Sequence, residues 1–237
     1  MTASIDVGNS RIKVGIFDAK GVLQKSSSLK NEDKLISFLK SENIDSVIIS
    51  DVGNANSLLS TLNREITKVL VLNRNIPLPI EIAYKSPETL GIDRLAAAVG
   101  ALNYHSGPLL VIDAGSCITI DFIDSQNVFQ GGIITPGLEM RLKAMHTFTA
   151  SLPLLELSLP GTEIPDTTSE AMLTGAVIGS KHELIGFINH FKAKYPDLKV
   201  IICGGNANYF DKMIELDIFV LPNLVLEGLN TILRYND

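Results

Sequence analysis

The chain has 237 residues, 46% hydrophobic and 19% charged, with a formal net charge of −6. This composition predicts a globular protein with a large core, and the acidic balance argues against a nucleic-acid partner. No apolar run reaches membrane-spanning length, and the strand-like start resembles no signal peptide, so we expect a cytoplasmic protein with no membrane partner. The two cysteines, Cys117 and Cys203, are too few for a zinc cluster and need not form a disulfide.

The first half of the chain is predicted to open with three strands and then to alternate helices and strands. The predicted elements are strands at 2–6, 12–17 and 21–28, a helix at 31–41, a strand at 46–50, a helix at 56–66, a strand at 68–72 and an alanine-rich helix from Asp93. The proline-rich segment 73–87 is predicted to be irregular.

The second half repeats this opening. The predicted elements are strands at 109–113, 118–123 and 128–134, a helix at 138–146, a proline-rich connection at 153–165, a helix at 168–193, a strand at 200–203, a helix, a strand at 218–221 and a helix at 224–234. Three strands followed by alternating helices and strands, occurring twice, indicate an α/β protein with mixed sheets flanked by helices. We therefore expect two domains, 1–105 and 106–237.

A short pattern at the end of the first strand of each half points to function. Residues 5–10 (IDVGNS) and 112–117 (IDAGSC) each place an acid before a glycine and a small polar residue, between two predicted strands. Glycine allows close approach of the backbone, and the free N–H groups of such a turn can hold phosphate oxygens. A carboxylate beside them can hold the metal that accompanies a polyphosphate. Two such turns therefore predict an ATP-using protein.

A third copy of the pattern, residues 51–54 (DVGN), repeats residues 6–9. It ends a predicted strand and leads into a helix for which Asn56 or Ser57 is a suitable N-cap, so we interpret it as a strand-to-helix turn. Contact of this turn with a ligand remains the alternative.

Six ordered motifs resemble those of the type III pantothenate kinases, a family within the actin-like ATPase superfamily. They are residues 6–10 with Lys13, Tyr84 with residues 91–94, residues 113–116 with Thr119 and Asp121, residues 131–137, Thr168 with Gly175, and residues 204–207. The resemblance runs nearly end to end and implies two duplicated ribonuclease H-like domains. It also implies ATP-dependent phosphorylation of pantothenate to 4′-phosphopantothenate, the first step of coenzyme A biosynthesis.

The resemblance further implies Mg²⁺ and a monovalent cation, K⁺ or NH₄⁺, as cofactors, and a homodimer whose active site lies near the interface. Asp93 would be the general base, Asp6 would hold Mg²⁺ and Asp113 would help to hold K⁺. The residues expected at ATP and its phosphates are Asp6, Gly8, Asn9, Ser10, Lys13, Gly115, Ser116, Gly204 and Gly205. The residues expected at pantothenate are Tyr84, Gly91, Asp93, Arg94 and Thr168.

Each assignment has a structural alternative that the residues alone leave open. Asp6 suits a tight turn, and Lys13 suits a solvated strand position. Asp93 suits a helix N-cap, Arg94 a surface position in the first helical turn, and Tyr84 a half-buried strand position.

Some positions depart from the family pattern or have two interpretations. Ile118 and Cys203 stand where the family usually has hydroxyl residues, whereas Ser116 retains one. Small residues at 171, 175 and 179 form a stripe along the long helix, which is most simply explained by packing within the chain, although the family pairs two subunits there.

Two other functions remain as alternatives. One is another small-molecule kinase of the superfamily, although the repressor-like sugar kinases carry a Cys/His zinc cluster that this chain lacks. The other is a regulator that has lost turnover, which would be expected to lack Asp6, Asp93 or Asp113, and all three are present.

Overall fold

The computed structural model describes residues 1–8, 11–51, 56–162 and 164–237. The strands are β1 (Thr2–Val7), β2 (Ile12–Phe17), β3 (Leu23–Leu29), β4 (Ser46–Asp51), β5 (Lys68–Leu72), β6 (Glu81–Ile82), β7 (Leu109–Ala114), β8 (Cys117–Ile123), β9 (Val128–Pro136), β10 (Lys199–Cys203) and β11 (Phe219–Val220). The helices are α1 (Glu32–Lys40), α2 (Asn56–Glu65), α3 (Ile92–Leu102), α4 (Leu138–Thr147), α5 (Thr168–Lys194), α6 (Ala207–Asp211) and α7 (Leu224–Tyr235), with a 3₁₀ turn at Pro87–Thr89.

The chain forms two compact units. The first contains Met1–Ser106, Asn127–Gln130 and Asn223–Asp237, and the second contains Gly107–Gln126 and Gly131–Pro222. In the described residues, no helix combines the length and the apolar character that crossing a membrane requires.

The first unit is built on a five-stranded sheet with the order β3-β2-β1-β4-β5. Strands β1 and β2 are antiparallel, and so are β2 and β3, whereas β1, β4 and β5 run parallel to one another. Buried Ile5 and Val14 pack with Leu35 of α1 and Leu62 of α2, so these two helices cover one face of the sheet. Helix α7 packs against β1, β2 and β4 and also against α3.

The position of α7 makes the compact units differ from the expected division at residue 105. Its apolar side places Leu226, Leu229 and Leu233 in the core of the first unit. A Cβ atom on Gly228 of α7 would collide with the backbone of Ala96 in α3, so the two helices touch at their backbones. The last helix therefore returns to the first unit, and 1–105 and 106–237 remain a prediction for the duplicated domains.

The second unit repeats the strand order of the first. The strands β9-β8-β7-β10-β11 of the second, six-stranded sheet follow that order, and β6 pairs with β9 as the sixth strand. Strand β7 is antiparallel to β8 and parallel to β10. The hairpin register differs by one residue, because Asp6 of β1 lies opposite Lys13, seven positions on, whereas Asp113 of β7 lies opposite Thr119, six positions on. Helices α5 and α6 supply buried apolar side chains to one face of this sheet. The predicted fold class, a duplicated α/β unit with mixed sheets, is confirmed.

Candidate functional site

Asp6 lies near the carboxyl end of β1, a central strand of the first sheet. The Ser50 hydroxyl on the adjacent parallel strand donates a 2.8 Å hydrogen bond to Asp6 Oδ1. Burial raises the pKa of the Asp6 carboxyl above its ordinary value, and the nearby Asp93 carboxylate raises it further. The Ser50 hydrogen bond and the positive charge of Lys13 act in the opposite direction on this pKa. A carboxylate held this way offers hard oxygen atoms to a cation.

The turn after Asp6 is a hairpin, as predicted. Gly8 N donates to Arg11 O at 3.1 Å, and β1 and β2 continue in register from Val7 and Ile12. Predicted phosphate contacts at Asn9 and Ser10 lie outside the described residues. The Lys13 side chain is half-buried, on a strand whose apolar neighbours face the core.

Asp93 lies in the first turn of α3 and close enough to Asp6 to affect its pKa. The N-cap alternative for Asp93 is wrong, because the N-cap residue of α3 is Gly91 and the helix begins at Ile92. Asp93 Oδ1 instead accepts a 2.9 Å hydrogen bond from the Arg94 backbone N–H. This bond fixes one carboxylate oxygen and leaves the other to act on a ligand.

Arg94 is 6% exposed, so the surface alternative for this residue is also wrong. Its guanidinium carbon lies 5.7 Å from the centre of the Tyr84 ring and 5.8 Å from that of the Phe129 ring. The two rings meet edge to face at 6.3 Å. Cation–π contacts of this kind stabilise a desolvated arginine and hold it in one orientation. Phe129 joins the group through pairing of β6 with the start of β9.

The second predicted turn also joins two antiparallel strands, but it is one residue shorter than the first. Asp113 lies near the end of β7, and Gly115 N donates to Cys117 O at 3.0 Å. Ser116 is exposed at the tip of the turn, so its hydroxyl is accessible to a ligand. Ile118, which departs from the family pattern, is 1% exposed. Its side chain packs in the core and faces away from the turn.

The two glycines after β10 differ in their surroundings. Gly204 has a φ of +94°, and a Cβ atom there would lie 2.6 Å from Ala114 O and would collide with Asp113 Oδ1. Only glycine fits this left-handed and crowded position. Gly205 is exposed, and a Cβ atom there would have no heavy atom within 4 Å. Gly204 therefore closes the turn against β7, whereas Gly205 leaves open space beside it.

Gly137, in the predicted motif at 131–137, contacts the second turn directly. Its backbone N–H donates to Ser116 O at 3.1 Å, and a Cβ atom on it would lie 2.5 Å from the same oxygen. Asn206 also belongs to this region, since its N–H donates to Ala114 O at 2.9 Å and its side chain donates to Glu139 at 2.8 Å. The start of α4 thus holds both glycine turns of the second unit.

Thr168 begins α5, and its side chain is exposed. The N-cap residue is its neighbour Thr167, whose hydroxyl accepts from Glu170 N at 3.3 Å. Farther along α5, a Cβ atom on Gly175, Gly179 or Gly186 would have no neighbour within 4 Å. Packing within the chain, the simplest explanation of the stripe at 171, 175 and 179, is therefore wrong for Gly175 and Gly179.

A cavity of about 290 Å³ lies in the first unit, but it is not centred on the acidic residues. Its walls include Leu78, Ile82 and Leu90, and it reaches α3 through Ile92 and Leu95. Asp6 and Asp93 do not line it.

The donor set suits a hard cation. Over the described ranges, no three His, Cys, Asp or Glu side chains cluster as a metal site. Mg²⁺ in ATP-dependent enzymes is commonly held by one or two carboxylates together with phosphate oxygens and water. Asp6, with its oxygens oriented by Ser50, meets that requirement.

Sequence reasoning missed three residues of these sites. Ser50 and Phe129 reach them only through strand pairing, and no local signal in the sequence marks either one. Glu139 reaches Asn206 across 67 positions of sequence. In each case the missing information is a long-range contact.

Comparison with known proteins agrees with the motifs. A family model described as type III pantothenate kinase matches residues 4–190. A type III pantothenate kinase from Cytophaga hutchinsonii is 41% identical over 239 residues, covering 100% of both chains.

Two solved structures share the fold. A Campylobacter jejuni protein described as a Baf family transcriptional activator has a TM-score of 0.61 and 24% identity, with 99% of this chain and 98% of that chain covered. The activator of the 2-hydroxyisocaproyl-CoA dehydratase from Clostridium difficile, solved with bound ADPNP, has a TM-score of 0.58 and 11% identity, with 99% and 96% covered.

Proposed function

The chain belongs to the type III pantothenate kinase family, and we propose that it transfers the γ-phosphoryl group of ATP to the primary hydroxyl of pantothenate, giving 4′-phosphopantothenate. One observation carries the proposal beyond the family match. Asp6 and Asp93 lie in one unit, at the end of a central strand and at the start of a helix, and the charge of Asp93 acts on the pKa of Asp6. Phosphoryl transfer needs a metal-binding acid and a base at the acceptor, and these two carboxylates can supply both.

Asp93 is proposed as the base because its carboxylate is oriented by the Arg94 N–H and its charge acts on the metal-binding acid. The acceptor hydroxyl gives its proton to Asp93 as its oxygen bonds to the γ-phosphorus. The bond from the γ-phosphorus to the oxygen of the leaving ADP breaks in the same displacement. Asp6 binds Mg²⁺, which neutralises charge on the phosphates when it is bound.

The glycine turn of each unit is proposed to bind phosphate. Lys13 supplies positive charge beside Asp6, Asn9 and Ser10 supply donors, and Gly8 allows phosphate to approach the backbone closely. In the second unit, the exposed Ser116 hydroxyl is the corresponding donor, and Gly115 allows the close approach. The open space at Gly205, beside the closed turn at Gly204, suits the nucleoside part of ATP.

Tyr84, Gly91 and Arg94 are proposed to form the acceptor side. The guanidinium of Arg94 is held against two aromatic rings, so its charge is fixed in place and can attract the pantothenate carboxylate. Thr168 is proposed to reach the acceptor of a second subunit from the exposed start of α5.

Asp113 is proposed to help bind K⁺ or NH₄⁺. It lies opposite Thr119 and next to the turn that carries Ser116, so oxygen ligands for a hard cation are near one another in sequence and register. Activity should rise when Na⁺ is replaced by K⁺ or NH₄⁺ at constant ionic strength. Equal rates with all three cations would remove this site from the proposal.

A homodimer through the second unit is also proposed. The open glycine face of α5 would allow two helices to approach closely, and Phe148 and Leu154 are 85% and 65% exposed. Gly175→Arg should convert a dimer to a monomer in sedimentation velocity. Asn63→Arg, at an exposed position of α2, adds the same charge and should leave the dimer intact. A wild-type protein that sediments as a monomer would contradict the proposal.

The function is tested by incubating the purified protein with ATP, Mg²⁺ and K⁺ and following ADP release with pantothenate, pantetheine or hexoses as acceptor. We expect turnover with pantothenate and a phosphorylated product of the matching mass. Turnover on a hexose alone would favour another kinase of the superfamily, and ATP binding without turnover on any acceptor would favour a regulator. A metabolic kinase that uses ATP and pantothenate is proposed to act in the cytoplasm.

A further inference from the structure

Arg141 of α4 makes a set of contacts that the proposed reaction does not explain. Its Nε donates to Pro136 O at 2.9 Å, and its Nη2 donates to the Thr135 hydroxyl at 2.8 Å. The same Nη2 pairs with Glu183 Oε2 of α5. Glu183 Oε1 also accepts a hydrogen bond from the Thr135 hydroxyl at 2.9 Å. Arg141, Thr135 and Glu183 therefore form a closed polar network at the end of β9.

The network surrounds the residues that precede Gly137. Arg141 binds the two residues before Gly137, and its own backbone N–H donates to Gly137 O at 3.0 Å. Gly137 in turn donates to Ser116 O and packs against the backbone of the second turn. A displacement of residues 135–137 would therefore displace the support of the Gly115–Ser116 turn.

The Arg141 and Glu183 side chains are partly buried, which strengthens their ion pair. The two side chains are 23% and 29% exposed, so the pair is screened less than an ion pair on the open surface. A charge-assisted guanidinium contact is directional and restricts both partners. The pair therefore fixes the distance between α4 and α5 at the point where α4 meets the turn.

We propose that Arg141 and Glu183 are positioning residues for nucleotide binding, acting through Thr135 and Gly137 on the phosphate-binding turn at Gly115 and Ser116. The proposal rests on the proposed function in that it takes this turn to bind phosphate. Neither side chain needs to touch ATP. Their effect is to hold the backbone of the Gly115–Ser116 turn in the orientation that phosphate binding requires.

The test uses Arg141→Gln, Glu183→Gln and the double variant, with Lys143→Gln as the control. Lys143 is an exposed lysine on the same helix, so the control makes the same charge change without touching the network. Steady-state kinetics give kcat and the KM values for ATP and pantothenate. Direct titration with ADP gives nucleotide affinity without requiring turnover, and thermal unfolding reports stability.

We expect Arg141→Gln to raise KM for ATP and Kd for ADP by about tenfold, the scale of one charge-assisted hydrogen bond, with KM for pantothenate unchanged. Glu183→Gln should have a smaller effect in the same direction. The double variant should be no worse than Arg141→Gln alone, because the two residues act as one network. The control should match wild type.

Two results would overturn the proposal. One is an unchanged ADP affinity in Arg141→Gln, and the other is an equal rise in both KM values that tracks a loss of thermal stability. If Arg141→Gln does not fold, Arg141→Lys retains the charge but loses the planar fork, and the same rise in ADP Kd is expected. If pantothenate is not a substrate but ADP affinity still depends on Arg141, the proposed function fails while the positioning role stands.

Discussion

The Ser50 hydroxyl donates a 2.8 Å hydrogen bond to the Asp6 carboxylate across two adjacent parallel strands. In the second sheet the residue paired with the corresponding acid, Asp113, is Cys203. The duplicated units therefore share the acid but not the hydroxyl beside it. The Ser50 hydroxyl donor favours the ionised form of the Asp6 carboxylate, which is the form that binds a cation.

Ser50→Ala should weaken Mg²⁺-dependent activity. Without the hydroxyl, the burial that already raises the pKa of Asp6 is opposed only by Lys13, so the carboxylate is less available to a cation. We expect the Mg²⁺ concentration for half-maximal activity to rise by about tenfold, the scale of one hydrogen bond to a charged group. The measurement is a Mg²⁺ titration of the initial rate at saturating ATP.

Ser4→Ala is the matched control for this experiment. Ser4 is a fully buried serine of β1, and within the described chain its hydroxyl oxygen has no hydrogen-bond partner. Its removal should leave the Mg²⁺ dependence unchanged. An equal change in both variants would mean that the loss of Ser50 acts through packing of the sheet rather than through Asp6.

The sequence was sufficient to predict the strands and the glycine turns because both arise from local patterns. Alternating apolar residues define each hairpin, and a glycine after an acid marks each turn, so Asp6 and Asp113 could be placed at strand ends. The burial of Arg94 could not be predicted in this way. It depends on Phe129, which arrives through pairing of β6 with β9. No residue close in sequence to Arg94 indicates that contact.

The start of α3 shows a second limit. Aspartate is a preferred N-cap residue, so Asp93 was a reasonable N-cap candidate. The helix starts two residues earlier than an N-cap at Asp93 would give, because Gly91, with φ −61° and ψ 132°, already has the extended conformation of an N-cap. This placement moves Asp93 into the helix, where its side chain is available for chemistry. This shift of two residues in the N-cap position decides between a capping role and another role for Asp93.

Tyr104→Phe should change how stability depends on pH. The Tyr104 hydroxyl donates a 2.6 Å hydrogen bond to Glu227 of α7, and burial together with this carboxylate raises its pKa to about 12. The unfolded chain loses this proton near pH 10, whereas the folded chain keeps it to about pH 12. The protonated Tyr104 hydroxyl therefore contributes its full stabilisation to the wild type below pH 10, and this contribution is lost as pH rises toward 12.

The phenylalanine variant lacks this titration, so the stability difference between wild type and Tyr104→Phe should shrink across that range. Urea unfolding midpoints at a series of pH values give the comparison. Tyr235→Phe, which removes the hydroxyl of a tyrosine that is 58% exposed, serves as the control. A difference from wild type that stays constant with pH would show that Tyr104 contributes only a pH-independent contact.

Asp93→Asn should separate catalysis from folding. Asparagine keeps an oxygen that can accept from the Arg94 N–H, so the start of α3 should be retained. It cannot take the proton of the acceptor hydroxyl, and turnover should fall by about 10²-fold or more. ADP affinity, measured by titration, should stay close to wild type. Near-normal turnover together with a lower unfolding temperature would make Asp93 a structural residue.

Gly91→Ala should impair turnover through the position of the Asp93 carboxylate. A Cβ atom on Gly91 would lie 2.5 Å from Asp93 Oδ1, so the carboxylate must move, whereas the φ of −61° is one that alanine adopts without strain. The fold should therefore tolerate the change, and kcat should fall by about tenfold or more, since a small misplacement of a catalytic group is costly. The measurement is kcat beside the thermal unfolding temperature.

Gly205→Ala is the control for Gly91→Ala, because a Cβ atom at Gly205 enters open space and lies far from Asp93 in sequence. Gly205→Ala should leave kcat unchanged, and an effect on KM should be confined to ATP. The double variant Gly91→Ala with Asp93→Asn should be no slower than Asp93→Asn alone, because once the base is lost its displacement no longer matters. A further loss in the double variant would show that Gly91 acts on the acceptor directly and not through Asp93.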